Sequence, residues 1–203
     1  MGEWRDGLFD CFRFGLCHAP LCLTFWCTPI ALGQLMTRMN LNFIGSKRNS
    51  TTTTTTGTIS PFTLMFLLVI VYVAADWILA LMIEPYMNAE EEDDETGQIY
   101  TADELYMPPW VHKVQIMRQV WQFLYGLFVF VVLLRVRNHV RKRYSIPAST
   151  CSSCGVDRLE DCCCAMWCGP CSICQMMRHT SDYRHDEAMC CTRTGLQVAP
   201  RTV

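Results

Sequence analysis

FTLMFLLVIVYVAADWILALMI, residues Phe62–Ile83, carries one charged side chain, Asp76, and is otherwise apolar all round. As a helix it is about 33 Å long at ~1.5 Å per residue, enough for a bilayer core of ~30 Å. A surface helix of a soluble domain keeps a polar stripe, and this run has none. It reads as a transmembrane helix. A second apolar run, Val120–Leu134, is shorter and extends upstream through Val114, Ile116 and Met117, past Arg118. Trp110, Trp121 and Tyr125 suit the aromatic belt of a bilayer. Two spans joined by one loop make a membrane hairpin.

Charge orients that hairpin. Arg38, Lys47 and Arg48 precede the first span, and Arg135, Arg137, Arg141, Lys142 and Arg143 follow the second. The loop between holds Glu84, Glu90 to Glu92, Asp93, Asp94, Glu95, Asp103 and Glu104 against one basic residue, Lys113. The positive-inside rule puts both termini in the cytosol and the acidic loop outside. Lys+Arg 17 nearly balances Asp+Glu 19, which argues against a nucleic-acid binder. No basic stretch followed by an apolar run opens the chain, so no cleavable signal is expected. Asp6 stands where an N-myristoylation signal wants Ser or Thr.

The expected class is mainly α, a two-helix membrane hairpin with short cysteine-rich cytosolic flanks. Residues 1–45 form the first half of a cysteine-rich module and 46–61 a Thr-rich linker. The spans are 62–83 and 114–136, with an acidic extracytosolic loop at 84–113. Residues 137–183 form the second half of the module, and 184–203 a tail.

The 14 cysteines avoid the spans and the loop. Cys11, Cys17, Cys22 and Cys27 precede the first span; the rest, Cys151 to Cys191, follow the second. Cytosolic thiols rarely persist as disulfides. Soft-metal ligation, lipid acylation, packing and redox exchange all stay open. Cys164, Cys168, Cys171 and Cys174 have a spacing that can gather thiolates round one tetrahedral ion such as zinc, with Cys22 and Cys27 as further ligands. His179 and His185 are spare nitrogen ligands. Cys151-Ser152-Ser153-Cys154 adds another pair. Bulky residues between Cys22 and Cys27 suggest a segment at the membrane surface, which Leu35, Met36 and Met39 extend as an amphipathic helix.

Two strings are set aside. Trp167-Cys168-Gly169-Pro170-Cys171 copies a thioredoxin active site but lacks the surrounding α/β domain. Cys164-x3-Cys168-x2-Cys171 copies a radical-enzyme iron–sulfur string without a barrel to carry it. No enzyme is expected. Asp76, an ionisable residue inside a span, and Glu84 near its outer end are candidates for a cation pathway, which two helices can line only in an oligomer.

Trp4, Gly7-Leu8-Phe9-Asp10-Cys11, Cys22-x4-Cys27 and Gly33-Gln34 resemble the opening of the cysteine-rich placenta-specific-8 family. Arg141 to Pro147, Asp161-Cys162 and the string Cys163 through Gln175 and Arg178 resemble its closing part. The family includes cornifelins, plant cadmium-resistance proteins and cell-number regulators. Where it usually reads Cys-Pro-Cys, this chain has Cys27-Thr28-Pro29. Ser46 to Arg118 looks like an insertion. The resemblance implies a membrane-associated homo-oligomer, without enzymatic activity, in heavy-metal tolerance, divalent-cation movement or control of cell number. The expected setting is multi-pass in the plasma membrane. The bilayer and metal ions are the expected partners, and a membrane scaffold anchored by acylated cysteines is the competing role.

Overall fold

A computed structural model describes residues 2–13, 15, 18–46, 59–87, 91–92, 99–100, 108–147, 157–183, 187–190 and 192–197. Most of the Thr-rich linker and acidic run, and Cys17, Cys151, Cys154, His185 and Cys191, lie outside them. The described chain is mainly helical: α1 (Ala19–Trp26), α2 (Thr28–Arg38), α3 (Pro61–Met87), α4 (Pro109–Tyr144) and α5 (Asp157–Thr180). A 3-10 turn at Asp10–Phe12 precedes them, and a two-residue ladder pairs Glu91 with Tyr100 and Glu92 with Ile99. Helices α3 and α4 are long and apolar enough to cross a membrane.

The chain divides into two compact units. Residues 70–128 form the middle of the α3–α4 hairpin. There Tyr72 stacks on Tyr125 with centroids 3.8 Å apart, and Tyr86 meets Trp110 edge-on at 5.1 Å. Residues 1–69 and 129–203 form the other unit, in which the two cysteine-rich flanks meet. Its core includes Leu21, Leu32, Leu35, Met36, Val136, Val140, Ile173, Met176 and Met177. Helix α2 forms as expected, but Leu35, Met36 and Met39 face this core instead of a membrane surface.

Helix α5 is not straight. Cys168 leaves helical geometry at φ −142°, ψ 55°. Pro170, which lacks an N–H and whose ring would clash one turn back, sits in the first turn of the new helix, where Pro is tolerated. Asp161 and Gln175 would lie about 21 Å apart on a straight helix. Instead both bind one guanidinium, Arg137, at 2.9 and 3.2 Å. Ser172 Oγ donates to Cys164 O at 3.1 Å, across the same bend. Helix α5 is therefore a helical hairpin with its tip at Trp167–Pro170.

The first flank repeats this device. Cys27, between α1 and α2, has φ −140° and ψ 57°, almost the angles of Cys168. Trp26-Cys27-Thr28-Pro29 matches Trp167-Cys168-Gly169-Pro170, and Leu32-Gly33-Gln34-Leu35-Met36 matches Ile173-Cys174-Gln175-Met176-Met177 at the same interval. Burial follows the match: Leu32, Leu35 and Met36 are closed off like Ile173, Met176 and Met177. The module is a pair of like hairpins.

Contacts with the spans fix how the hairpins sit. A Cβ at Gly33 would stand 3.0 Å from Phe62 Cα and 3.1 Å from Met65 Cβ, so α2 lies hard against the start of α3. Gly33→Leu is expected to overpack this contact and lower stability by about 1–3 kcal/mol, read as an earlier thermal midpoint in detergent. Asp161→Leu leaves Arg137 and Arg141 buried without their shared carboxylate. A loss of about 3–5 kcal/mol is expected, and an unchanged midpoint would contradict the role given to this pair.

Candidate functional site

The candidate site is the joint between the flanks. Arg137 and Arg141, one turn apart on α4, both donate to Asp161 Oδ1, at 2.9 and 2.8 Å, out of contact with water. Trp4 lies under the Arg137 guanidinium with its centroid at 5.0 Å. On α5, Arg178 pairs with Asp6 Oδ2 at 3.4 Å and donates to Gly7 O at 3.1 Å. Buried cations need such partners, because an unpaired charge out of water is strongly unfavourable.

Two glutamines at matching positions clasp the flanks reciprocally. Gln34, from the first flank, donates to Cys190 O at 2.8 Å and Thr192 O at 2.9 Å in the tail. Gln175, from the second, donates to Asp6 O at 3.0 Å near the N-terminus. Arg38 adds bonds to Ser181 Oγ at 2.8 Å, Tyr183 Oη at 2.9 Å and Thr194 O. A polar side chain inside an otherwise apolar run, at the same place in both flanks, is the sequence signal that marks these glutamines.

Of the expected metal ligands, Cys168, Cys171 and Cys174 come together in one cluster. Cys168 and Cys171 are paired, with Cα atoms 5.3 Å apart, within bridging range. Cys11 Sγ lies 3.6 Å from Cys171 Sγ. Cys174 shares a hydrogen bond with Thr24 Oγ1 at 3.1 Å. Cys11, Cys171 and Cys174 pack with Leu21 in one apolar cluster, with Leu8 and Cys168 at its margin. Cys22, Cys27 and Cys164 are half-buried. Burial pushes the Cys164 and Cys174 thiols up, which keeps them protonated at neutral pH. Among the described residues, no three His, Cys, Asp or Glu side chains converge to hold a metal ion. As arranged, Cys164, Cys168, Cys171 and Cys174 do not fit one tetrahedral ion.

The pathway candidates are also apart in kind. Asp76 is held by Arg118, whose Nε and Nη2 bind its two oxygens at 2.9 and 3.0 Å, and by Gln122 Nε2 at 2.8 Å. Glu84, about two turns further along α3, is exposed.

A cavity of about 440 Å³ opens between the N-terminal segment and α5, lined in part by Trp4, Glu160, Cys164 and Gln175. Beside it, His179 accepts a hydrogen bond from the Arg5 backbone N–H at Nδ1, 3.2 Å, and meets Trp4 and Tyr144 edge-on. Burial, then the Arg5 charge, holds the His179 pKa below its ordinary value, with Asp6 opposing. Burial and Arg178 do the same for His18. The folded state thus favours neutral imidazoles. Their contribution is present above the ordinary histidine pKa of about 6.5 and is lost as pH falls through the lowered folded value. The thermal midpoint is expected to fall on acidification below about pH 6.5. His179→Gln should flatten that slope, and an unaltered slope would remove His179 from the account.

Comparison with known proteins agrees with this architecture. Over 53 residues the chain is 40% identical to maize (Zea mays) "Cell number regulator 4", covering 26% of this chain and 28% of that protein. Over 55 residues it is 38% identical to maize "Cell number regulator 11", covering 27% of this chain and 25% of that protein. The chain spans about a quarter of the length of these curated relatives. No solved structure matches it. The PLAC8 family pattern matches residues 4–179, from the Trp4 that covers Arg137 to the His179 that holds Arg5. With nearly the whole chain matched, and both flanks inside the match, the chain belongs to the PLAC8 family.

Proposed function

We propose that the chain is a non-enzymatic regulatory scaffold of the cell-number-regulator kind, anchored in a membrane by α3 and α4. The carrying observation is that the cysteine-rich motifs serve as a structural joint. Cys11, Cys171 and Cys174 fill a core between flanks that are far apart in sequence. The names of the maize relatives support control of cell number. The basic residues that follow α4's apolar run favour a cytosolic module, and the plasma membrane is the proposed location.

Cysteine exposure divides the thiols by accessibility. Cys163 is exposed and Cys27 and Cys162 are half-buried, whereas Cys11 and Cys174 are buried. Acyl chains on the accessible set would give the second membrane signal that stable lipid anchoring needs. Acyl-exchange labelling is expected to mark Cys162 to Cys164 and to spare Cys174.

A second reading, handling of a soft divalent cation such as zinc by an oligomer, rests on the approach of Cys11 to the Cys168–Cys171 pair. Reduction of that pair would free two more sulfurs beside Cys11 and Cys174. One experiment separates the readings: mass spectrometry of metal bound to reduced, chelator-free protein, beside a variant with Cys164, Cys168, Cys171 and Cys174 changed to Ser. The scaffold reading expects no stoichiometric metal in either, and altered cell number when the gene is lost. Near-stoichiometric metal in the parent, absent from the variant, would replace it with the cation reading. Asp76→Leu then asks whether the span takes part, by its effect on metal flux.

A further inference from the structure

The two hairpin tips carry the most exposed tryptophans of the described chain. Trp26 is 88% exposed and Trp167 86%, each beside a second bare apolar side chain, Phe25 at 53% and Met166 at 65%. Exposed apolar pairs at matching bends, each with a tryptophan, mark an interaction surface that both bends share.

Direction identifies it. In α5, Gln175 binds Arg137, while a Cβ at Gly169, beside the tip, would stand 3.6 Å from Leu133 Cδ2. Moving from Gln175 to the tip therefore moves down α4 from its basic end into its apolar run. In α2, Thr37 Oγ1 accepts the Phe62 N–H at 3.3 Å, and Gly33 reaches on to Met65. Moving towards Trp26 again follows α3 away from its start and into its apolar part. Within the cysteine-rich unit, both hairpins point their tips from the polar ends of α3 and α4 towards the apolar residues that adjoin them, Met65 and Leu133.

Charge follows the same axis. No Asp, Glu, Lys or Arg occurs between Arg13 and Arg38, or between Asp161 and Arg178. The charges Arg38, Asp161 and Arg178 mark the open ends, and the tips have none. From Gln34 to Cys27 is about 10 Å of helix, comparable with the ~5–10 Å that interfacial segments bury.

We infer that the Phe25–Pro29 and Met166–Pro170 tips are paired wedges that enter the same bilayer leaflet beside the ends of α3 and α4, with Trp26 and Trp167 in the acyl chains just below the headgroups. This rests on the reading that α3 and α4 span that bilayer. Tryptophan suits the position, since its ring is apolar and its N–H reaches headgroup oxygens. The wedges hold the module flat on the membrane without adding a span.

The full chain in phosphatidylcholine vesicles, plain or brominated on the acyl chains, tests this by tryptophan fluorescence. Parent protein is compared with Trp26→Phe, Trp167→Phe and Trp77→Phe, the last removing a 65% exposed residue of α3. All three side chains are exposed, so the fold should tolerate Phe. The inference expects Trp26→Phe and Trp167→Phe each to remove emission that bromine quenches and aqueous iodide does not. If that emission is quenched by iodide and spared by bromine, while the part removed by Trp77→Phe is bromine-quenched, the wedges are overturned and the spans stand. If the Trp77 part is also iodide-quenched, the spanning reading falls, and the inference with it.

Discussion

Arg137 sits beyond the apolar run of α4 with its guanidinium almost wholly out of water. A cation there requires a carboxylate, further acceptors and a ring face, and each comes from a different stretch of chain: Asp161 and Gln175 from the two arms of α5, and Trp4 from the N-terminus. Satisfying one buried charge thus brings the two arms of α5 together and draws Trp4 to the end of α4. Arg141 reuses the same Asp161 oxygen, so the joint holds two cations on one anion. Such an arrangement gives less net stability than an apolar core of equal volume, but it tolerates the loss of no single member.

The cysteines fill the space that this polar frame leaves. Cys11, Cys171 and Cys174 behave as small buried hydrophobes, and the raised pKa of Cys174 follows from that burial. For these three, packing between the N-terminal segment, α1 and α5 accounts for the position of the sulfur. Among the described cysteines, Cys163 and Cys190 are exposed.

Much of this architecture was legible in the residues. Phe62–Ile83 and Val120–Leu134 have a hydropathy that leaves few alternatives, and both helices contain the expected spans. The joining of two cysteine-rich flanks followed from motifs shared with the family. What sequence reading missed was long-range. That Arg118, on another helix, is the partner of Asp76 is a pairing that sequence pattern alone does not name. Leu35 and Met36 looked like a membrane-facing stripe because periodicity marks an apolar face without saying what covers it. The fold-back of α5 was signalled by Pro170, yet a proline inside a run tells of a break and not of its angle. The likeness of Trp26–Met36 to Trp167–Met177 stood in plain view, masked by the cysteines that fill the second copy and are largely absent from the first.

The reciprocal glutamine clasp bears on how the protein is made. Gln34 finds its partners 156 and 158 positions later, and Gln175 reaches back 169. During synthesis the first hairpin emerges with its polar clasp unmet, and both spans must be delivered to the membrane before the second hairpin exists. For that interval α1 and α2 lack the cover of α5, and the Gln34 amide lacks its partners in the tail, the condition in which nascent chains attract chaperones. Completion waits on the last helix, so a chain truncated after α4 would display an unfinished half-module. The ribosome's order of events thus leaves the Gln34 clasp among the last contacts that can close.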